Sequence, residues 1–188
     1  MTDEKAIEIR FAGFGGQGII LAGFLLGKAS AIYDNKNAVF TQSYGPEARG
    51  GACSAGVLVS GSTVDYPKVQ RPDVLVVMSQ EAYTTYIDTL KERGTLIYDE
   101  DLVVINPDDE KRFKVFPVPA TRIAEEVGKR IVANVVMLCA FTAITGIVSE
   151  EAMKETAKKW EEITERLGRE HQKEAWAWFK TTYPVTIV

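Results

Sequence analysis

Cysteine and histidine, the residues that most often hold zinc and iron–sulfur clusters, are scarce in this chain. It has two cysteines, Cys53 and Cys139, and one histidine, His171, in 188 residues. The cysteines lie far apart and form no C-x-x-C pair, so the chain alone cannot assemble a structural zinc site or a cysteine-held iron–sulfur cluster. His171 lies in the charged segment GREHQK, which favours a solvated helix face over a catalytic base.

Long apolar runs and basic runs are missing as well. No apolar stretch approaches the roughly 20 residues that cross a bilayer, and the start MTDEKAIEIR lacks the apolar centre of a signal peptide. The formal net charge is -4, and no run of Lys and Arg alternates with aromatic residues. We therefore expect a cytoplasmic protein that binds neither nucleic acid nor membrane.

The order of sequence patterns predicts an α/β fold. A chain of 188 residues with 46% hydrophobic residues is long enough for one core, so we expect one domain over residues 1–188 with a helical extension from about 149 to 188. Strands are predicted at 7–12, 38–42, 53–60, 74–78, 95–98, 102–105 and 114–118. Helices are predicted at 17–33, 80–93, with Ser79 as N-cap, 120–127, 134–144, 149–167 and 170–181.

The stretch between the second and third predicted strands has no helical period. Two strands that follow each other without a crossover helix predict an antiparallel strand inside a mostly parallel sheet. The expected fold is therefore a three-layer sandwich, with a Rossmann-like mixed sheet flanked by helices, plus the C-terminal helices.

A glycine-rich turn follows the first predicted strand. In FAGFGGQGII, residues 11–20, Gly13, Gly15 and Gly18 have the G-x-G-x-x-G spacing of dinucleotide sites. That use also requires an acid at the end of the second strand, which here ends Thr41-Gln42-Ser43. The sequence therefore argues against NAD. It leaves three roles open, which are an anion or cofactor at the bare main-chain amides, close packing of helix on sheet, and contact with another subunit's backbone.

A second loop, SYGPEARGG, covers residues 43–51. Loops at the carboxyl ends of neighbouring strands can lie side by side, so Gln17 and Arg49 are expected to face one site. The guanidinium of Arg49 suits a phosphate or a carboxylate. An ion pair between Arg49 and Glu47 within the loop is an equally good explanation of the same residues.

Taken together, GFGGQGIILAGFLLGKA, TQSYGPEARGGACSAGVLVS, PDVLVVMSQEAY, GTLIYDEDLV and GKRIVANVVMLCAFTAITG resemble the gamma subunits of 2-oxoacid:ferredoxin oxidoreductases, especially the 2-oxoglutarate type. The resemblance covers residues 7–146. It implies a subunit of an enzyme that oxidatively decarboxylates a 2-oxoacid to an acyl-CoA and passes electrons to ferredoxin.

The resemblance also implies the partners and the site residues. Alpha and beta subunits would bind thiamine diphosphate, a ferredoxin-like subunit would carry the iron–sulfur clusters, and CoA would reach the holoenzyme's site, whereas this chain alone would bind no cofactor. Asn134 matches a polar residue of the buried helix, and Cys139 stands where glycine is expected. The cofactor-binding positions carried over are Gly13, Gly15, Gly16, Gln17, Gly18, Ser43, Tyr44, Gly45, Glu47, Arg49, Gly50 and Gly51, with Pro46 in the second motif; no catalytic residue is assigned.

Two other features have more than one interpretation. Cys53 follows the second loop, where a reactive thiol could approach a ligand, but a cysteine in a strand of small residues is more often simply buried. Trp176 and Trp178 are two residues apart and cannot share one helix face, so one of them is expected either at a neighbouring subunit or over the sheet edge. The alternatives for the whole chain are a nucleotide- or CoA-binding module without catalysis, and an assembly scaffold.

Overall fold

A six-stranded mixed sheet forms the centre of the fold. The computed structural model describes residues 6–43, 52–64, 67–126 and 132–165, with side chains to residue 159. The strands are β1 (Ile7–Gly13), β2 (Asn37–Ser43), β3 (Cys53–Ser60), β4 (Val74–Val77), β5 (Thr95–Asp99) and β6 (Lys114–Val118). The helices are α1 (Ile19–Ile32), α2 (Gln80–Tyr86), α3 (Asp109–Arg112), α4 (Ala120–Glu126), α5 (Ala133–Thr145) and α6 (Glu150–Glu165).

The strand order is β2-β3-β1-β4-β5-β6. β3 lies antiparallel to both of its neighbours, with Gly13 opposite Cys53 and Ser43 opposite Ser54. The pairings of β1 with β4, β4 with β5 and β5 with β6 are parallel. The predicted antiparallel strand in a mostly parallel sheet is confirmed, because a chain that returns without a crossover must run back along its neighbour.

Helices cover both faces of the sheet and give it its three layers. The four residues of β4 are all buried, since Val74 and Val76 join the core beneath α1 and α5 whereas Leu75 and Val77 join the core beneath α2. This alternation explains why a buried parallel strand has a continuous apolar sequence. On the α5 side, the rings of Phe11 and Phe141 lie 5.5 Å apart.

On the α2 side, the end of one predicted helix and the whole of one predicted strand are wrong. Ser79 caps α2 as predicted, its Oγ accepting from Ala82 N at 3.2 Å, but the α-helix ends at Tyr86 and is followed by a 3-10 turn, Ile87–Thr89, not by helix to residue 93. Residues 102–105 form no strand. The side-chain amide of Gln80 accepts from Val104 N at 2.8 Å and donates to Val104 O at 3.1 Å, so this main chain is satisfied by a side chain instead of a strand.

The first part of the predicted C-terminal extension is α6. Ser149 caps it by accepting from Ala152 N at 3.1 Å, and Ser149 Oγ also donates to Asp34 Oδ1 at 2.6 Å, which ties the start of α6 to the end of α1. Residues 166–188 lie outside the described part, and with them the predicted helix 170–181 and the interpretations of His171, Trp176 and Trp178. None of the described helices has both the length and the apolar character to span a membrane.

Candidate functional site

The glycine turn connects β1 to α1 at the carboxyl edge of the sheet. Gly16 and Gly18 have φ values of +91° and +73°, a left-handed conformation that residues with a Cβ adopt at a cost. Gly18 is the N-cap of α1 and provides no side chain to cap it. The first intrahelical bond runs from Ala22 N to Gly18 O, so the preceding main-chain N–H groups have no acceptor within the helix.

The four glycines of this turn fall into two pairs. A Cβ on Gly13 would lie 2.5 Å from Gln17 Oε1, and a Cβ on Gly18 would lie 2.2 Å from Asn134 Nδ2. These two glycines are required by the packing of the chain itself. Gly15 and Gly16 are exposed, and a Cβ on either would meet no atom of the described residues within 4 Å. The packing of the described residues therefore gives no reason for glycine at these two positions, although the positive φ of Gly16 favours glycine there.

Gln17 holds the turn in place. Its Oε1 accepts from Phe14 N at 2.6 Å, and its Nε2 donates to Met78 O at 2.7 Å. The second bond ties the turn to the residue that follows β4. Both polar atoms of the Gln17 side chain are thus bound to main chain of the same protein, while Phe14 remains 46% exposed beside the open glycines.

Asn134 supports the turn from the other side. It lies in the first turn of α5, is 4% exposed and donates from Nδ2 to Gly18 O at 3.3 Å. The polar residue that the family resemblance placed on the buried helix therefore meets the glycine motif directly.

Ser43 is the one residue of the second motif that the structure describes, at the end of β2. Tyr44, Gly45, Pro46, Glu47, Arg49, Gly50 and Gly51 lie outside the described residues, so the pairing of Gln17 with Arg49 stays a prediction. β2 ends and β3 begins at the edge of the sheet where the glycine turn lies, because Ser43 pairs with Ser54 and Cys53 pairs with Gly13.

The arrangement of strands also disfavours a dinucleotide. In a dinucleotide fold the second strand adjoins the first, which brings its terminal acid to the ribose. Here β3 lies between β1 and β2, and the end of β2 is a serine. The ribose-binding acid is therefore missing, and the end of β2, where it would stand, is separated from β1 by one strand.

Neither cysteine is suited to nucleophilic chemistry in the folded chain. Cys53 is 7% exposed and donates from Sγ to Gly13 O at 3.3 Å; burial raises the pKa of its thiol. Burial also raises the pKa of Cys139, which lies within α5. Both thiols therefore stay protonated near neutral pH, which favours the structural interpretation of Cys53.

Two buried acids without an assigned role in the sequence, Asp99 and Asp109, hold neighbouring segments together. Asp99 accepts from Thr121 Oγ1 at 2.6 Å and from Thr121 N at 3.1 Å, which anchors the start of α4 to the end of β5; burial raises the pKa of Asp99. The hydroxyl of Tyr83 donates to Asp109 Oδ2. An acid at a strand end and a threonine at a helix start were the available signals for the first contact.

The described residues contain no group of three His, Cys, Asp or Glu side chains placed to hold a metal ion. An iron–sulfur cluster does not fit these residues, because their two cysteines are buried in different elements, β3 and α5.

Comparison with known proteins identifies the family. The family model described as pyruvate ferredoxin/flavodoxin oxidoreductase matches residues 8–172. The chain is 57% identical over 156 residues to 2-oxoglutarate synthase subunit KorC of Methanothermobacter thermautotrophicus, covering 80% of this chain and 82% of that one. It is 34% identical over 157 residues to pyruvate synthase subunit PorC of the same organism, covering 81% and 84%.

A solved structure agrees with these sequences. The gamma subunit of a keto/oxoacid ferredoxin oxidoreductase from Geobacter sulfurreducens superimposes with a TM-score of 0.75 at 39% identity, over 91% of this chain and 96% of that one. The predicted α/β fold and the predicted resemblance are both confirmed. This chain belongs to the pyruvate ferredoxin/flavodoxin oxidoreductase family.

Proposed function

We propose that this chain is the gamma subunit of a 2-oxoglutarate:ferredoxin oxidoreductase, an enzyme of several subunits. The reaction converts 2-oxoglutarate and CoA to succinyl-CoA and carbon dioxide, and two electrons pass to ferredoxin. The observation that carries the proposal is the contrast between two relatives from one organism, 57% identity to the 2-oxoglutarate synthase subunit and 34% to the pyruvate synthase subunit. The two comparisons span nearly the same length, so coverage does not explain the difference.

Decarboxylation and electron transfer are both assigned to cofactors of the other subunits. Thiamine diphosphate, which stabilises the carbanion formed on decarboxylation, belongs to alpha and beta subunits, and the clusters belong to a ferredoxin-like subunit. The scattered cysteines of the described residues support this division. We expect the assembly to work in the cytoplasm and to donate its electrons to free ferredoxin.

The glycine turn is proposed to complete the active site of the assembly. The main chain of Gly15 and Gly16 is exposed, and the N-terminus of α1 beside it has N–H groups without an acceptor inside the helix. A partner chain, or a phosphate or carboxylate group that it delivers, has access to this main chain. The second motif, residues 43–51, is proposed to take part in the same contact, because it joins the end of β2 to the start of β3, where Cys53 pairs with Gly13.

Substrate competition on the assembled enzyme tests the assignment. The chain is co-purified with its native partners, and CoA-dependent reduction of ferredoxin or a viologen dye is measured with 2-oxoglutarate, pyruvate and 2-oxoisovalerate. We expect activity with 2-oxoglutarate at a kcat/KM well above the other two, and none from the chain alone. An assembly that oxidises pyruvate in preference to 2-oxoglutarate would overturn the substrate assignment.

The uncapped N-terminus of α1 favours one second candidate, a CoA- or nucleotide-binding module without catalysis of its own. Titration calorimetry of the isolated chain with CoA, FAD and NAD separates the two. A gamma subunit that completes a shared site binds these ligands weakly by itself, whereas a binding module binds one of them tightly. The strand order predicts no tight binding of NAD.

A further inference from the structure

The outer edge of β2 is an unusual edge for a sheet. β2 pairs with β3 over seven residues, in an unbroken register from Asn37 opposite Ser60 to Ser43 opposite Ser54. Within the part of the chain that the structure describes, no other strand pairs with β2. Alternate N–H and C=O groups along residues 38–42 therefore point outward, as in any edge strand.

The opposite edge of the sheet shows how this protein protects an edge that faces water. β6 carries an exposed lysine, Lys114, and a proline, Pro117, within its five residues. Both are common devices against pairing with other chains. β2 has the sequence NAVFTQS, without charge or proline, and its regular register leaves no bulge. One edge therefore carries devices against added strands, and the other lacks them.

The helix beside this edge is apolar where it is exposed. α1 contains one charged residue, Lys28, in fourteen. Phe24 and Ile32 are 45% and 58% exposed and lie four residues to either side of Lys28, on one side of the helix. The ring of Phe24 meets the ring of Phe40 in β2 edge to face, with centroids 6.1 Å apart. A helix that is apolar all round is normally covered on all sides.

These residues define one continuous surface, which we call the β2 surface: the outer edge of residues 38–42, Phe40, and the stripe Phe24, Lys28 and Ile32. We propose that an extended segment of another subunit binds the β2 surface and adds a strand beside β2. The proposal rests on the proposed function in one respect, that the chain works in an assembly of different subunits. Main-chain bonds would supply affinity, and side chains facing α1 would supply specificity.

The chemistry of the occupant follows from the stripe. Apolar side chains fit Phe24 and Ile32, and a carboxylate fits Lys28, which makes no ion pair within the described residues. A second copy of this chain fits less well. A Cβ on Gly27 would lie 3.8 Å from Phe40 Cβ, so Lys28 is level with the middle of β2. A two-fold pairing of β2 with itself would place the two Lys28 side chains on the same face, opposite each other, where like charges repel.

Two measurements on the assembly test the proposal. Hydrogen exchange of residues 38–42 is compared between the isolated chain and the reconstituted complex. We expect the outward amides to exchange on the order of tenfold more slowly or better in the complex, because they gain acceptors. The affinity of the chain for the remaining subunits is then measured for Phe24→Ser and Lys28→Glu, with Phe116→Ser, an exposed aromatic of the opposite edge, as the control.

The first two variants should weaken assembly by about tenfold or more each, and the control by less than about threefold. Unchanged exchange in the complex, or equal weakening by all three variants, would overturn the proposal. Sedimentation of the isolated chain as a dimer that dissociates on Lys28→Glu or Phe24→Ser would assign the surface to a second copy. Faster exchange of residues 38–42 after removal of residues 166–188 would assign it to the chain's own C-terminus. None of these readouts depends on which 2-oxoacid is the substrate.

Discussion

Asn134 Nδ2 lies only 2.2 Å from the place where a Cβ of Gly18 would stand. The two residues are 116 positions apart in the sequence, and the amide donates to Gly18 O at 3.3 Å. This contact holds the N-termini of α1 and α5 together. It needs a residue without a side chain at position 18 and a side chain as long as asparagine at position 134.

This contact predicts that Gly18→Ala destabilises the chain on the order of 1–3 kcal/mol, because the new methyl group overlaps Asn134 and the backbone has a positive φ. Asn134→Ala in the same chain removes the two nearest atoms, Nδ2 and Cγ, and leaves the Cβ at 3.2 Å, but it does not relieve the backbone strain. The double variant should therefore lose less unfolding free energy than the two single variants lose together. Urea denaturation in a double-mutant cycle measures this difference. Strict additivity would contradict the overlap.

Gln17 and Gln80 provide a matched pair, since each side-chain amide bridges main-chain groups at the same edge of the sheet. Gln17→Met and Gln80→Met each remove two hydrogen bonds and should each cost about 1–2 kcal/mol of unfolding free energy. In the assembled enzyme only Gln17→Met should lower the rate of 2-oxoglutarate oxidation, because only Gln17 sets the glycine turn.

Gln17→Glu refines this test. A carboxylate still accepts from Phe14 N but offers no donor to Met78 O, so its activity should fall between those of the wild type and Gln17→Met. If Gln17→Met and Gln80→Met lowered the activity equally, the turn would have no special role.

Gly23 and Gly27 are four residues apart on α1. Replacement by alanine should change the unfolding free energy in opposite directions at these two positions. A Cβ on Gly23 would lie 2.6 Å from Ala55 Cβ, whereas on Gly27 the nearest atom is Phe40 Cβ at 3.8 Å. Gly23→Ala is therefore expected to destabilise by about 1–3 kcal/mol, and Gly27→Ala to stabilise by about 0.4–1 kcal/mol through helix propensity and a restricted unfolded chain. Thermal unfolding of the isolated chain decides between these signs.

The raised pKa of Tyr83 predicts that the folded protein loses stability at alkaline pH. Burial, opposed in part by a hydrogen bond from the Asn106 main chain, raises the pKa of Tyr83 from 10.0 to about 12. The unfolded chain then releases the phenolic proton first, so this contribution to stability is complete below pH 10 and is lost as the pH rises towards 12.

Tyr83→Phe should lose this part of the pH dependence, since it has no proton to release. The difference in unfolding free energy between wild type and Tyr83→Phe, measured from pH 8 to pH 11, isolates Tyr83 from the other groups that titrate there. A difference that did not change with pH would refute the raised pKa.

Much of the architecture was predictable because apolar residues recur with the two-residue period of strands or with the period of helices. The buried strand β4 and the capped start of α2 follow from a short apolar run and one serine. β3 was recognised as antiparallel because no helical pattern separates it from β2. The failures were local: residues 102–105 have a strand-like sequence, but one side-chain amide, that of Gln80, satisfies Val104.

The candidate site was predictable in position but not in detail. Gly13, Gly15, Gly16 and Gly18 look alike in the sequence, and only the distant Asn134 and the conformation of Gln17 show which of them the chain needs for its own packing. The role of Gln17 as a clamp has no sequence signal beyond its place in the motif, since a glutamine that bridges two main-chain groups leaves no periodic pattern. Contacts between residues 116 positions apart depend on the completed fold.

Gly15→Val tests the central claim, that the exposed main chain of the glycine turn meets a partner or its ligand. Gly15 is suited to this test because its φ, unlike that of Gly16, is not positive and its Cβ position is open. Gly16→Ala and Gly146→Ala serve as controls for backbone strain, since both positions are open and have positive φ values of +91° and +59°, and only the first lies in the turn.

The measurement is the 2-oxoglutarate-dependent rate of the reconstituted complex, taken beside the unfolding free energy of the isolated chain. We expect Gly15→Val to change the unfolding free energy by no more than about 0.5 kcal/mol and to lower the rate or the affinity of assembly on the order of tenfold or more. A Gly15→Val complex that assembles and turns over like the wild type would contradict this expectation.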